Sequence, residues 1–149
     1  METAGYGVDE YVQIVAFRLG AEEYGVPIVT VQEIIKMMNI TRVPRASHYV
    51  EGVINLRGNI IPVFNLHKRF NIEPQGKEED RRIIVFRFDD VKAAIIVDGV
   101  SEVLRISSEN IEDARKIYGS FDSEFIAGVG KVGDRLLILL NLEMLLDIS

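Results

Sequence analysis

The chain has no cysteine among its 149 residues. Disulfides, zinc–thiolate sites, iron–sulfur clusters and thiol nucleophiles are therefore excluded. Long apolar runs are also missing: the longest covers residues 136–140, which is far too short to span a bilayer. The first eleven residues contain neither a basic region nor an apolar region, so we expect no signal peptide.

Positive charge is also scarce: the chain has 17 Lys and Arg but 23 Asp and Glu, which gives a formal net charge of −6. The basic pairs Lys68-Arg69 and Arg81-Arg82 do not extend into the stripe that a nucleic-acid-binding protein usually shows. A composition of 48% hydrophobic and 27% charged residues is typical of a globular domain. We therefore expect one domain, or two very small ones sharing a core, and no binding of nucleic acid.

Short apolar runs alternate with turn residues along most of the chain, which is the pattern of β-strands. Tight turns are predicted at residues 57–59, 89–90 and 133–134. Helices are expected to be few and short, with Asn65 capping residues 66–70 and Asn141 capping residues 142–146. The predicted strands are residues 13–19, 25–29, 52–56, 60–64, 82–88, 93–97, 126–132 and 135–140.

Two segments are ambiguous. Thr30 and Glu33 have the spacing of a helix capping box, yet residues 31–36 can equally continue as a strand. Residues 107–124 have no clear strand or helix pattern, and they can hold a helical turn around residues 111–118.

The chain contains an internal repeat. Residues 14–36 align without a gap onto residues 83–105, and residues 52–66 align onto residues 128–142. Two copies are too few for a solenoid, but two small β-barrels suit the number of strands. We therefore predict an all-β fold, with a few short helices, built from two packed barrels.

Residues arranged for catalysis are not evident. His48 and His67 have no partner at metal-ligand spacing, so we expect both to be partly exposed surface residues. The glycines of residues 128–133 fit G-x-G-x-x-G, but they precede a strand rather than a helix, which favours a hairpin. Acidic clusters such as Glu22-Glu23 and Asp89-Asp90 fall in predicted turns, where carboxylates usually only contact solvent. The chain is therefore not expected to be an enzyme or to hold a metal or cofactor.

Two features suit a surface for a protein partner. Arg57 stands at the tip of an apolar hairpin, either as an interface anchor or as a residue that covers apolar surface with its stem. Residues 31–35 interleave aliphatic side chains with Gln32 and Glu33, which fits a partner surface or, alternatively, a capped core segment.

These motifs, taken in order, resemble the CheW family, the coupling proteins of bacterial chemotaxis. Asn-Leu-Arg-Gly followed by Ile-Ile-Pro-Val is the most specific of them, and the resemblance runs from about residue 11 to residue 146. The segments that carry it are residues 22–28 (EEYGVPI), 31–34 (VQEI), 42–44 (RVP), 52–63 (GVINLRGNIIPV), 97–103 (VDGVSEV) and 133–135 (GDR).

The resemblance implies two packed, five-stranded SH3-like barrels, no catalysis and no cofactor. It also implies a cytoplasmic adaptor, recruited to membrane-associated receptor arrays, that links methyl-accepting chemotaxis receptors to the regulatory domain of the histidine kinase CheA. Kinase-facing residues are assigned only loosely, to hairpins such as the one around Gly58. The partner-binding residues it implies are Val31, Glu33, Ile34, Gly52, Asn55, Leu56, Arg57 and Gly58.

The expected organisation is a flexible tail over residues 1–10 and a single CheW-like domain over residues 11–149. Its barrels are expected at roughly 11–75 and 80–149, with strand exchange between them allowed. Two alternatives stay open: the CheW-like regulatory domain of a CheA-type kinase, and a ligand- or oligonucleotide-binding barrel, which needs a basic, aromatic-lined face.

Overall fold

The computed structural model describes residue 6 and residues 10–113 and 125–146. The chain divides into two compact units, and neither is a continuous half of the sequence. Unit 1 consists of Met1–Phe17, Glu22–Thr30 and Ser101–Ser149, and unit 2 consists of Arg18–Ala21 and Val31–Val100.

Most of the described residues are in β-strands, and the two α-helices are short. The strands are β1 (Tyr11–Leu19), β2 (Glu22–Pro27), β3 (Val31–Lys36), β4 (Val50–Leu56), β5 (Asn59–Phe64), β6 (Arg82–Phe88), β7 (Val91–Val97), β8 (Gly99–Ser107), β9 (Ile111–Asp113), β10 (Ile126–Val132) and β11 (Arg135–Leu140). The helices are α1 (Leu66–Phe70) and α2 (Leu142–Leu145), and 3₁₀ turns cover Ile28–Thr30, Glu78–Asp80 and Ser108–Asn110. This confirms the predicted all-β class.

Unit 2 is built on a five-stranded sheet with the order β3-β6-β7-β5-β4. Strands β5 and β7 run parallel, and the other neighbours are antiparallel. Because side chains alternate between the faces of a strand, every second residue contributes to one core. That core consists of Ile54, Ile61, Val63, Ile83, Val85, Ala94 and Ile96, with Ile35, Ile40 and Leu56 packed against it.

The sheet that contains the strands of unit 1 has six strands in the order β8-β1-β2-β11-β10-β9. Strands β2 and β11 run parallel, whereas β10 pairs antiparallel with both β11 and β9. Its core consists of Tyr6, Ile14, Ala16, Ile106, Leu137 and Leu139.

The repeat in the sequence reappears in the order of the strands. The alignment places β1 on β6, β2 on β7, β8 on β3, β10 on β4 and β11 on β5. With these substitutions, β8-β1-β2-β11-β10 becomes β3-β6-β7-β5-β4, which is the order in unit 2. Among the strands of the described residues, β9 is the one addition. The shared order supports a duplication as the origin of the two sheets.

Both predicted helix caps and the three predicted turns are present. The Asn65 side chain accepts from the Lys68 N–H, and the Asn141 side chain accepts from the Met144 N–H. The glycine motif at residues 128–133 lies in the β10–β11 hairpin.

Local sequence was less informative at three other places. Residues 31–36 form β3, and the Thr30 hydroxyl donates to the Pro27 carbonyl instead of capping a helix. Strand β8 was not predicted. The helical turn considered around residues 111–118 is wrong over Ile111–Asp113, which forms β9, and its remaining residues lie outside the described part.

Only Tyr6 and Glu10 of the predicted tail are described. Tyr6 is buried in the core of unit 1. Its hydroxyl lies 3.0 Å from the Gly25 carbonyl oxygen and 2.9 Å from that of Leu140, so it can donate to either. Tyr6 therefore does not belong to a flexible tail.

Candidate partner-binding face

The predicted partner-binding residues all belong to unit 2. Val31, Glu33 and Ile34 lie on β3, while Gly52, Asn55 and Leu56 lie on β4. Arg57 and Gly58 form the turn between β4 and β5. Because β3 and β4 are the two outer strands of the five-stranded sheet, these residues come from opposite edges of that sheet.

One contact brings the two edges together. The Arg57 Nη2 donates a hydrogen bond to the Glu33 Oε2, and the two side chains form an ion pair. The Gln32 amide lies 3.4 Å from the same carboxylate oxygen. The hydrogen bond from Arg57 lowers the pKa of Glu33, with smaller contributions from Gln32 and from the charges of Arg57 and Lys92. Glu33 is therefore ionised at neutral pH.

The ion pair leaves the arginine accessible. The side chain of Arg57 is 66% exposed and that of Glu33 is 25% exposed. Exposed ion pairs contribute little to stability, because water screens the charges and ordering the side chains costs entropy. This contact therefore adds little to the stability of unit 2.

The turn that carries Arg57 has an unusual backbone. Leu56 pairs with Asn59, so Arg57 and Gly58 are its two central residues, with φ angles of 51° and 88°. Two positive φ angles are the pattern of a type I′ hairpin turn. The Asn55 side-chain oxygen accepts from the Gly58 N–H at 2.9 Å and holds the turn. A left-handed conformation costs a residue such as arginine on the order of 1–2 kcal/mol.

Gly52, on β4, allows the backbone of Thr41 to lie close to that strand. It is buried, with φ +152°, and a Cβ at this position would lie 2.2 Å from the Thr41 carbonyl oxygen. Thr41 and Val53 exchange two backbone hydrogen bonds of 2.8 Å, which hold the segment after β3 against β4. Glycine at residue 52 permits this close approach, which a larger side chain would prevent.

The remaining predicted residues divide by exposure. Val31 and Leu56 are half-buried, and Leu56 packs against the core of unit 2. Ile34 is 40% exposed, and Ile60, which pairs with Asn55 across β4 and β5, is 64% exposed. Ile60 was not predicted as a site residue, although it stands three positions after Arg57 in the same hairpin. Of the predicted residues, Ile34, Asn55, Arg57 and Gly58 are therefore exposed and Glu33 is partly exposed, and Ile60 is a further exposed residue of the β4–β5 hairpin.

The family model of the CheW-like domain matches residues 13–149. The chain belongs to the CheW family. It is 37% identical to the chemotaxis protein CheW of Treponema pallidum over 92% of this chain and 83% of that protein. It is also 36% identical to the chemotaxis protein CheW of Helicobacter pylori, over 93% of this chain and 83% of that protein.

A solved structure in the CheW family shares the fold. The scaffolding protein TtCheW from Thermoanaerobacter tengcongensis matches with a TM-score of 0.83 and 40% sequence identity, over 93% of this chain and 94% of that one. With this identity over nearly both full lengths, the comparison supports family membership as well as fold.

Unit 1 carries a related cluster that sequence reasoning missed. The guanidinium of Arg135 contacts both carboxylate oxygens of Glu23, at 2.9 and 2.8 Å, and Glu102 at 2.8 Å. These hydrogen bonds raise the pKa of Arg135. Glu23 had been expected only to contact solvent. Glu102 aligns with Glu33 in the repeat, so each copy pairs the glutamate at this position with an arginine of its own β-hairpin.

The two histidines differ from each other. His48 is exposed, as expected, but His67 is only 5% exposed, so its predicted surface position is wrong. A hydrogen bond to Asp98 satisfies the buried ring. Because Asp98 lies 31 positions away in the sequence, the spacing of nearby residues could not predict this partner. Among residues 6, 10–113 and 125–146, no group of three metal-ligating side chains is close enough to hold an ion. In the same residues, no helix has the length and hydropathy needed to cross a membrane.

Proposed function

We propose that this CheW-family chain is a non-catalytic adaptor that couples methyl-accepting chemotaxis receptors to the histidine kinase CheA. The relatives are chemotaxis proteins and a scaffolding protein by name, which supports a role in holding partners. On this proposal the chain works in the cytoplasm and is recruited to membrane-associated receptor arrays.

The observation that carries the proposal is the accessible Glu33–Arg57 pair. Both residues lie in the segments through which the sequence resembles the family, and Arg57 carries its charge at an exposed hairpin tip. Arginine is a favoured interface anchor because its planar fork offers five donors. Ile34 and Ile60 supply exposed apolar surface. This combination suits the helical tip of a receptor.

The proposed mechanism is thermodynamic. One part of the surface holds the receptor, and a separate part holds the regulatory domain of the kinase. A signal passes only if receptor states differ in how tightly they hold the complex, so the coupling is a difference in binding free energy between those states.

The test is a pull-down of a purified receptor cytoplasmic fragment and of CheA. We expect the wild-type chain to retain both partners and Arg57→Glu to lose the receptor fragment only. Arg105→Glu in unit 1 is the control, because it is exposed and makes the same change of charge. Unfolding of Arg57→Glu would show that Arg57 is structural, and a wild-type chain that binds neither partner would contradict the proposed function.

A further inference from the structure

Charge is distributed unevenly along the sequence. Residues 34–72 hold six of the 17 Lys and Arg but only one of the 23 Asp and Glu, which is Glu51. This segment therefore carries a formal charge of +5, whereas the remaining residues together carry −11. The whole segment belongs to unit 2. A negatively charged partner is attracted to this segment and repelled by the rest of the chain.

The single acid of the segment is surrounded by a hydrogen-bond donor and positive charges. The Glu51 Oε1 accepts from the Asn65 Nδ2 at 3.0 Å and lies 3.4 Å from the Lys68 Nζ. The hydrogen bond from Asn65 lowers the pKa of Glu51 against the opposing effect of burial, and the charges of Lys68 and Arg42 lower it further. Glu51 is therefore ionised at neutral pH and offsets only one of the positive charges around it.

Basic side chains also surround Tyr49, two positions before Glu51. The Arg69 guanidinium lies over the Tyr49 ring, with its Cζ 4.9 Å from the ring centroid. The exposed His48 ring contacts Tyr49 edge-on, with 5.7 Å between the ring centroids. The basic residues of the Thr41–Tyr49 segment and of helix α1 are named the basic cluster: Arg42, Arg45, His48, Lys68 and Arg69.

The segment that carries Arg42 and Arg45 is exposed and is held in place at its start. Residues 41–48 are all exposed, and Val43, between the two arginines, is 40% exposed. Two backbone hydrogen bonds of 2.8 Å between Thr41 and Val53 fix the start of the segment. Within residues 6, 10–113 and 125–146, neither arginine forms an ion pair. Both guanidinium groups are therefore available to a partner.

We propose that the basic cluster is a docking surface for an acidic, partly apolar segment of a partner protein. The cluster does not include the Glu33–Arg57 pair, and its binding does not depend on the function proposed above. Arginine binds carboxylates through two parallel hydrogen bonds, which suits Glu and Asp side chains. The exposed Val43 adds apolar contact beside these charges.

A nucleic acid suits this surface less well than an acidic protein segment. Single-stranded nucleic acids bind through bases that stack on free aromatic rings. The Tyr49 ring is already stacked on Phe64, at 6.2 Å between centroids, and Arg69 lies over it. The charge of −11 on the other residues also repels a long polyanion.

A labelled acidic peptide tests this surface directly. The probe is a peptide of about 20 residues that forms an amphipathic helix with Glu on one face and Leu on the other, and a matched peptide has Gln at every Glu position. Fluorescence anisotropy gives Kd for both peptides at low and at high salt. We expect the wild-type chain to bind the Glu peptide about three- to thirtyfold more tightly at low salt, and the difference to shrink as salt screens the charges.

Paired substitutions test whether the basic cluster is the binding surface. The double variant Arg42→Gln/Arg45→Gln removes two exposed charges and should weaken binding of the Glu peptide about three- to tenfold. The control Lys77→Gln/Lys131→Gln removes two exposed charges outside residues 34–72 and should change Kd by less than about twofold. Thermal unfolding checks that both double variants keep the fold.

Glu51→Gln is a change of the opposite sign. Glutamine keeps a side-chain oxygen for the Asn65 amide but removes the negative charge. The Glu peptide should therefore bind this variant about two- to fivefold more tightly than it binds wild type. A gain of affinity has the further advantage that a damaged fold does not produce it.

Three results would overturn the proposed docking surface. Equal affinity of wild type for the Glu and Gln peptides would show that carboxylates are not recognised. Equal losses in the two double variants, or no gain in Glu51→Gln, would show that overall charge rather than the basic cluster attracts the peptide. Single-stranded DNA that binds as tightly as the Glu peptide and is lost in Arg42→Gln/Arg45→Gln would show that the occupant is a nucleic acid. These results leave the proposed receptor and kinase binding untouched, because neither partner is in the assay.

Discussion

The imidazole Nε2 of His67 lies 2.9 Å from the carboxylate Oδ2 of Asp98, and both side chains are buried in unit 2. The same carboxylate oxygen accepts from the backbone N–H of Gly20 at 2.7 Å and of Gln75 at 3.2 Å. One oxygen therefore joins helix α1, the β1–β2 turn and the segment that follows α1.

The hydrogen bonds of Asp98 predict how stability changes with pH. Burial by itself raises the pKa of Asp98, but the hydrogen bonds from His67, Gly20 and Gln75 outweigh it and the pKa is lowered. A carboxyl whose pKa is lower in the folded state stabilises the fold above its unfolded pKa, about 3.9, and loses that contribution as the pH falls through the folded value.

We expect Asp98→Asn to reduce the free energy of unfolding at pH 7 by about 1–3 kcal/mol, since a charged acceptor of several hydrogen bonds is lost. Below pH 4 the difference between wild type and variant should shrink, because the wild-type carboxyl becomes protonated. Urea denaturation between pH 3 and pH 7 measures both effects. A difference that does not change with pH would contradict the lowered pKa.

The two histidines form a matched pair for testing the buried contact. His67→Ala removes a buried partner of Asp98 and should destabilise the protein by about 1–3 kcal/mol. His48→Ala alters an exposed ring and should change stability by no more than about 0.5 kcal/mol. Both are measured by denaturant unfolding at neutral pH. Equal small effects would show that the His67–Asp98 contact adds nothing to the fold.

Alanine substitutions at Gly52 and Gly58 distinguish the cost of a positive φ angle from the cost of a steric clash. Both have positive φ, but a Cβ at Gly58 would meet nothing within 4 Å, whereas one at Gly52 would lie 2.2 Å from the Thr41 oxygen. Gly58→Ala should cost about 1 kcal/mol from conformation alone, and Gly52→Ala should cost at least about 2–3 kcal/mol because the backbone must also move. Equal losses in thermal unfolding would remove the close-approach explanation.

Tyr6 tests whether the N-terminal residues contribute to the fold. Tyr6→Phe keeps the ring in the core but removes the donor to the Gly25 and Leu140 carbonyls. The expected loss of stability is about 0.5–1.5 kcal/mol. Tyr11→Phe is the control, because Tyr11 is exposed and its ring would still lie beneath Arg105. A Tyr6→Phe variant as stable as Tyr11→Phe would show that the buried hydroxyl is unimportant.

Features fixed by neighbouring residues were predictable from the sequence. The Asn65 cap, the 89–90 turn and the β10–β11 hairpin follow from residue types only a few positions apart. The exposed tip at Arg57 belongs to the same class, since turn residues alone place it in solvent.

Features fixed by distant residues were not predictable in this way. Glu33 meets Arg57 across 24 positions, and His67 meets Asp98 across 31, so spacing gave no sign of either contact. Strand β8 escaped prediction because Ser101, Glu102 and Arg105 interrupt its apolar pattern. Its neighbour in the sheet, β1, supplies the backbone partners that make it a strand. The Thr30–Glu33 spacing left a helix and a strand equally open, and in the structure the Thr30 hydroxyl donates to the Pro27 carbonyl rather than capping a helix.

The proposed coupling of receptor to kinase is tested most directly by co-sedimentation. Vesicles carrying a methyl-accepting chemotaxis receptor are mixed with purified CheA, with and without this chain, and the kinase that sediments with the vesicles is measured. We predict that the chain increases the sedimented kinase and that Arg57→Glu abolishes the increase. Sedimentation of the kinase that does not change when the wild-type chain is added would contradict the account.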